Sequence, residues 1–221
     1  MGYGVLFLST RLATEAYVSL LEKTNCHDIV FTSSTAKSVA SIKEVRNVNN
    51  FTIPEKSIYE SPNQIRQFSA PPSTPKTSDK IAFIIHSSGS TGLPKPIFQT
   101  NKACLSNYAS GSGYRAFLTL PLYHNHGIST FFRAIYKCKP ISLYNASLPL
   151  TGPNLVKAME SVRPESFHGV PYALKMLSES EAGIAALRRC ELVLFGGSSC
   201  PDDLGDTLVD AGVYIVSHYG A

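Results

Sequence analysis

The chain has 221 residues, of which 43% are hydrophobic and 16% charged, and its net charge is +4. That balance excludes a disordered tail and describes a globular chain, able to bury roughly 70% of its unfolded surface in one or two domains. The basic residues are scattered, so no nucleic-acid partner is expected, and no apolar run suggests a membrane partner. The five cysteines (Cys26, Cys104, Cys138, Cys190 and Cys200) are an odd number without Cys-x-x-Cys spacing. They read as reduced, buried thiols of a cytoplasmic protein. Residues 1–10 lack a basic leader, which argues against a signal peptide.

In chain order, residues 5–8 read as a strand and Thr14–Lys23 as a helix capped by Thr14, with Ala16, Leu20 and Leu21 on one face. A strand over 28–32 and a helix over 35–45 follow. Such βαβα alternation predicts a parallel sheet covered by helices. Residues 60–79 carry Pro62, Pro71, Pro72 and Pro75 among polar residues, which predicts an extended connection. It separates a partial α/β subdomain at 1–59 from a second at 80–221.

The second subdomain opens on the apolar, β-branched run at 81–85, which predicts a buried strand. Ser87, Ser88, Gly89, Ser90, Thr91 and Gly92 follow it with no bulky side chain, and Lys95 stands between Pro94 and Pro96. Small residues let backbone N–H groups turn toward one point, and the hydroxyls and the lysine add donors and charge. Phosphate is the ligand that uses all of these features. The spacing is neither that of a Walker loop nor that of a nucleophile elbow.

A helix is predicted over 101–110. Gly111-Ser112-Gly113-Tyr114-Arg115-Ala116 fits a dinucleotide pattern, but a helix precedes it and a strand follows, so it reads as a turn. The strand over 116–120 runs into Leu120-Pro121-Leu122-Tyr123-His124-Asn125-His126-Gly127, at the strand end where open α/β sheets bind ligands. His124 and His126 lack acidic or cysteine neighbours and make a poor metal site. Helices are predicted over 128–136, 154–162, Pro171–Ser178 and 201–211, and strands over 141–144, Ser166–Gly169, 191–195 and 213–216. Gly196-Gly197-Ser198 follows a strand directly, and the chain closes on His218-Tyr219-Gly220-Ala221.

Ser87–Lys95 resembles the phosphate-binding signature Ser-Gly-Ser/Thr-Thr-Gly-x-Pro-Lys of the adenylate-forming ligases, with Pro96 where that family usually has glycine. Pro121-Leu122-Tyr123-His124-x-x-Gly127 resembles the family's Pro-Leu-Phe/Tyr-His-x-x-Gly. Gly196-Gly197-Ser198 is similar to its Gly-Gly-Ser/Ala/Glu, and Tyr219-Gly220 to the start of its Tyr-Gly-x-Thr-Glu. Four stretches in the family's order are more specific than any one. Gly4–Ser9 and Leu204–Leu208 resemble the reductase-type, non-ribosomal-peptide-synthetase-like branch.

The resemblance implies an α/β fold, with parallel sheets wrapped by helices, forming part of the large N-terminal lobe of such a ligase. It implies activation of a small carboxylic acid by ATP, with Mg²⁺, to an acyl-adenylate for transfer to CoA or a phosphopantetheinyl carrier domain. Ser87, Ser88, Gly89, Ser90, Thr91, Gly92 and Lys95 would hold phosphates. Gly196, Gly197, Ser198, Tyr219 and Gly220 would hold adenine, and His124 would border the acyl site as the catalytic residue. No metal ligand is expected within the chain: the family's principal Mg²⁺ ligand and C-terminal lobe are expected beyond Ala221. Activity of this chain alone is therefore not expected. The alternative is an inactive remnant that binds nucleotide weakly or serves as an interaction module.

Overall fold

The structure, a computed structural model, describes residues 4–54, 78–87 and 92–219. It divides into two compact units, with the boundary between Lys102 and Ala103.

The first unit contains strand β1 (Val5–Leu6), helix α1 (Thr14–Lys23), β2 (Asp28–Phe31), a 3₁₀ turn at Ser33–Thr35, α2 (Ala36–Val45), β3 (Asn49–Thr52), β4 (Ile81–His86) and β5 (Pro96–Thr100). The periodic apolar face of α1 buries Ala16, Tyr17, Leu20 and Leu21. Tyr17 and Leu21 join Ile29, Val39, Ile42 and Val48 in one core cluster. Thr14 is not the cap: Ala13 holds that position, with extended backbone and no side-chain bond. β2 and β3 pair in parallel. β1 pairs in parallel with β4, joining stretches on either side of the predicted Pro-rich connection.

β4 also pairs with β5, and this pairing is antiparallel. β5 escaped the sequence reading because Pro94, Lys95 and Pro96 mask its start. A proline fits there because it begins an edge strand, where its missing N–H is not needed. β4 and β5 thus flank the predicted phosphate loop as an antiparallel pair.

The second unit begins within α3 (Asn101–Ala109). It continues through β6 (Ala116–Leu118), α4 (Asn125–Tyr136), β7 (Ile141–Leu143), α5 (Gly152–Val162), β8 (Ser166–Gly169), α6 (Pro171–Ser178), α7 (Glu181–Arg188), β9 (Leu192–Gly196), α8 (Asp202–Asp210) and β10 (Ile215–His218). The five strands form one sheet in the order β10-β9-β8-β6-β7, parallel throughout. The predicted parallel α/β architecture is present here in full. Its core joins Phe117, Phe167 and Val193 of the sheet to Leu155, Met159, Leu174, Leu177, Leu187 and Leu208 of the helices.

Capping and proline chemistry set the helix starts: Thr151 accepts from the Asn154 N–H, Ser180 from the Gly183 N–H, and Pro171 occupies a first turn as predicted. α4 starts three residues earlier than predicted, so His126 and Gly127 lie in its first turn. Of the cysteines, Cys104 and Cys190 are buried, Cys26 and Cys200 are half-buried and Cys138 is exposed, which corrects the expectation that all five are buried. All five are free thiols.

Candidate functional site

The chain runs from β6 outward to β7, then crosses back to β8, β9 and β10 on the other side of β6. This reversal makes β6 and β8 the switch point of the parallel sheet, and its carboxyl edge is where such sheets leave a crevice for ligands. His124 follows β6 at that edge, Gly196 ends β9 with Gly197 and Ser198 just beyond, and Tyr219 follows β10. The fold thus brings together at one sheet edge three sequence stretches that were singled out separately.

Close packing explains the glycines. A Cβ on Gly127 would stand 2.2 Å from the Pro121 carbonyl oxygen, so only glycine lets α4 start against the preceding loop. A Cβ on Gly196 would meet the His218 carbonyl oxygen at 2.6 Å, where β9 and β10 run side by side. Gly197 then turns with φ of 90° and is exposed with Ser198. The Tyr219 ring is fully exposed. His124 caps α4 with extended backbone, and its exposed ring lies 4.7 Å from that of Tyr123.

Behind this edge lies a histidine cluster that sequence reading missed. His126, Thr130 and Arg133 recur at i, i+4 and i+7 and so share one face of α4. His126 Nε2 stands 3.3 Å from His168 Nδ1, and Thr130 Oγ1 stands 3.4 Å from the same atom. Ser166 Oγ is 3.1 Å from His168 Nε2, and the His126 and His218 rings meet edge to face at 5.0 Å. Burial, then neighbouring positive charge, pushes His126 down to about 4 and His168 down to about 3, so both are neutral near pH 7. His218 is lowered by the same two causes. Arg133 lowers all three and is itself lowered by burial; its Nε–H donates to the Asn107 carbonyl at 3.2 Å. Thr130, Arg133, His168 and His218 line a cavity of about 230 Å³, together with Ser112, Gly113 and Tyr114 of the turn that had matched a dinucleotide pattern. The i, i+4, i+7 spacing from His126 was the available signal for the face. His168 and His218 gave none, because only strand register brings them together.

In the first unit, the Ser87 N–H donates to the Lys95 carbonyl at 3.0 Å and closes the hairpin link. Lys95 is exposed, Gly92 turns with φ of 120°, and Lys23 Nζ reaches the buried Pro94 carbonyl at 3.5 Å. Beneath the link, the buried His86 ring accepts from the Ser9 N–H at 3.1 Å. Ser88, Gly89, Ser90 and Thr91 of the predicted phosphate loop, and Gly220, lie outside the described residues. Among the described residues, no group of three His, Cys, Asp or Glu is arranged to hold a metal ion, and no helix is long and apolar enough to cross a membrane.

A family model described as "AMP-binding enzyme" matches residues 1–221. An adenylate-forming reductase of Aspergillus terreus is 32% identical over 155 residues, covering 65% of this chain and 14% of the relative. A carboxylic acid reductase of Neurospora crassa is 28% identical over 236 residues, covering 96% of this chain and 22% of the relative. The chain thus spans less than a quarter of the length of either. Among solved structures, ATP-bound MatB of Rhodopseudomonas palustris shares the fold with a TM-score of 0.78 at 18% identity, over 98% of this chain and 44% of that one.

Proposed function

Because this chain belongs to the AMP-binding enzyme family, we propose that it is the nucleotide- and acid-binding part of an adenylation domain. The domain activates a carboxylic acid with ATP to an acyl-adenylate, which is then passed to a thiol on CoA or a phosphopantetheinyl carrier. The observation that carries this reading is the gathering of His124, Gly196–Ser198 and Tyr219 at one carboxyl edge of a parallel sheet. The reductases among its relatives favour the non-ribosomal-peptide-synthetase-like branch, and the family match favours an enzyme over an inactive remnant.

The residues divide the work. Ser87, Ser88, Gly89, Ser90, Thr91, Gly92 and Lys95 hold the ATP phosphates by backbone N–H groups, hydroxyls and one ammonium. Gly196 and Gly197 keep the edge free of side chains, so that adenine can lie against the backbone, with Ser198 and Gly220 beside it and Tyr219 stacked on its face. His124 lies where the acid's carboxylate arrives and orients it. The described residues offer no acidic cluster for Mg²⁺.

Calorimetric titration of the chain with Mg·ATP tests the reading. A saturable 1:1 isotherm, displaced by AMP, is expected. No heat up to millimolar ATP, with the protein folded by circular dichroism, would overturn it.

A further inference from the structure

The cavity lies against one face of the parallel sheet, and all its lining residues belong to the second unit. Its walls come from the starts of β6, β8 and β9 and from the Thr130–Arg133 face of α4. His218 carries it up to the sheet edge, since His218 pairs in register with Gly196. Its size has a direct chemical meaning. A cavity of about 150 Å³ accommodates benzene, so 230 Å³ has room for one ring with a small substituent.

Its charge is unusual. Arg133 is half-buried and lines the cavity, yet none of the ion pairs among the described residues involves it; those are Arg46–Glu22 and Arg115–Glu165. The groups facing it are a backbone carbonyl, hydroxyls and imidazoles. A half-buried cation with no counter-charge among the described residues is stabilised when an anion joins it. The three histidines do not supply that anion. Burial and Arg133 keep His126 and His168 neutral and lower His218 in the same direction. Arg133 stands nine residues beyond His124, roughly 13 Å along the helix axis at about 1.5 Å per residue. Its side chain slants back toward the helix start, which shortens that gap.

We propose that this cavity selects a small acid bearing a second carboxylate: one carboxylate lies at the sheet edge near His124, and the other pairs with Arg133. This names the substrate class for the adenylation reading and rests on it. Guanidinium and carboxylate match in a two-point fork, which a neutral substituent cannot reproduce.

Terephthalate and benzoate, a matched pair differing by one carboxylate, are the probes. Calorimetry without nucleotide should show terephthalate binding the 221-residue chain at least tenfold more tightly than benzoate. Arg133→Met should abolish that preference and Arg133→Lys should keep part of it, with near-ultraviolet circular dichroism reporting the fold of each variant. Equal affinities in the unaltered chain, no binding of either acid at 10 mM, or a preference that survives in folded Arg133→Met would each overturn the proposal. The unaltered chain carries the first comparison, so misfolding of a variant does not decide it. ATP binding measured on the same sample separates the two claims: intact ATP binding without diacid preference defeats only this inference, and loss of both defeats the adenylation reading.

Discussion

In the first unit the candidate residues sit on the link of an antiparallel hairpin, closed by one backbone bond from Ser87 to Lys95. In the second they sit at the carboxyl edge of a five-stranded parallel sheet, over a packed set of imidazoles. The sequence Ser87–Gly92 carries glycines and hydroxyls and no bulky side chain. The sheet edge is formed by close packing, with two glycines pressed against carbonyl oxygens and a buried polar layer beneath. Binding residues on a link are set by local sequence. Binding residues on a sheet edge are set by register between distant segments.

Acid should break the comparison most strongly. His126 and His168 are neutral in the fold, with values near 4 and 3 against the usual 6.5. Above pH 6.5 they are neutral in both the folded and the unfolded chain and leave stability unchanged. Between 6.5 and about 3 the unfolded chain takes up their protons while the folded one does not, so stability falls as pH falls, by several kcal/mol. Arg133 and His218 face them and oppose protonation further. In the first unit only His86 is lowered in the same way, by burial. Hydrogen exchange at pH 7 and 4.5 should therefore show the second unit losing protection first. Equal loss in both units would mean that the imidazole layer is not held neutral.

A smaller effect comes from Gly127→Ala. Its methyl group would press on the Pro121 carbonyl and displace the start of α4, at a cost of about 3 kcal/mol. Thermal unfolding should shift accordingly, and ATP-binding heat should weaken with it. An unchanged melting temperature would show that the loop before α4 yields easily.

The smallest effect should come from His124→Ala. Its ring is exposed, so the melting temperature should hardly move. Terephthalate affinity should fall about tenfold, or ~1.4 kcal/mol. A lowered melting temperature with unchanged acid affinity would assign the histidine to holding the loop.

Much of the second unit was legible from residues. The bounds of Ser166–Gly169 and Pro171–Ser178 were read directly, the helix from its starting proline, a local signal. α7 was missed: Ser180 is a good cap, but Ala and Gly dilute the apolar period behind it. β3 was missed because Asn49-Asn50-Phe51-Thr52 shows no buried face, and all four residues are exposed. Glycines and His124 could be found by their spacing, and the loop from Ser87 by its lack of bulk. His168, His218 and Arg133 could not, because each is an ordinary residue until parallel pairing and the α4 face bring them into one cavity.

The central claim is that the hairpin link holds the ATP phosphates, while the sheet edge holds adenine and, with the cavity, the acid. The measurement that tests it most directly is a pair of calorimetric titrations, Mg·ATP and terephthalate, on Ser90→Ala/Thr91→Ala beside the unaltered chain. Removing two hydroxyls from charge-assisted bonds should cost about 1.5–3 kcal/mol each at most. The account predicts ATP affinity lower by tenfold or more and terephthalate affinity unchanged. Unchanged ATP affinity, or equal loss of both ligands in a folded variant, would contradict it.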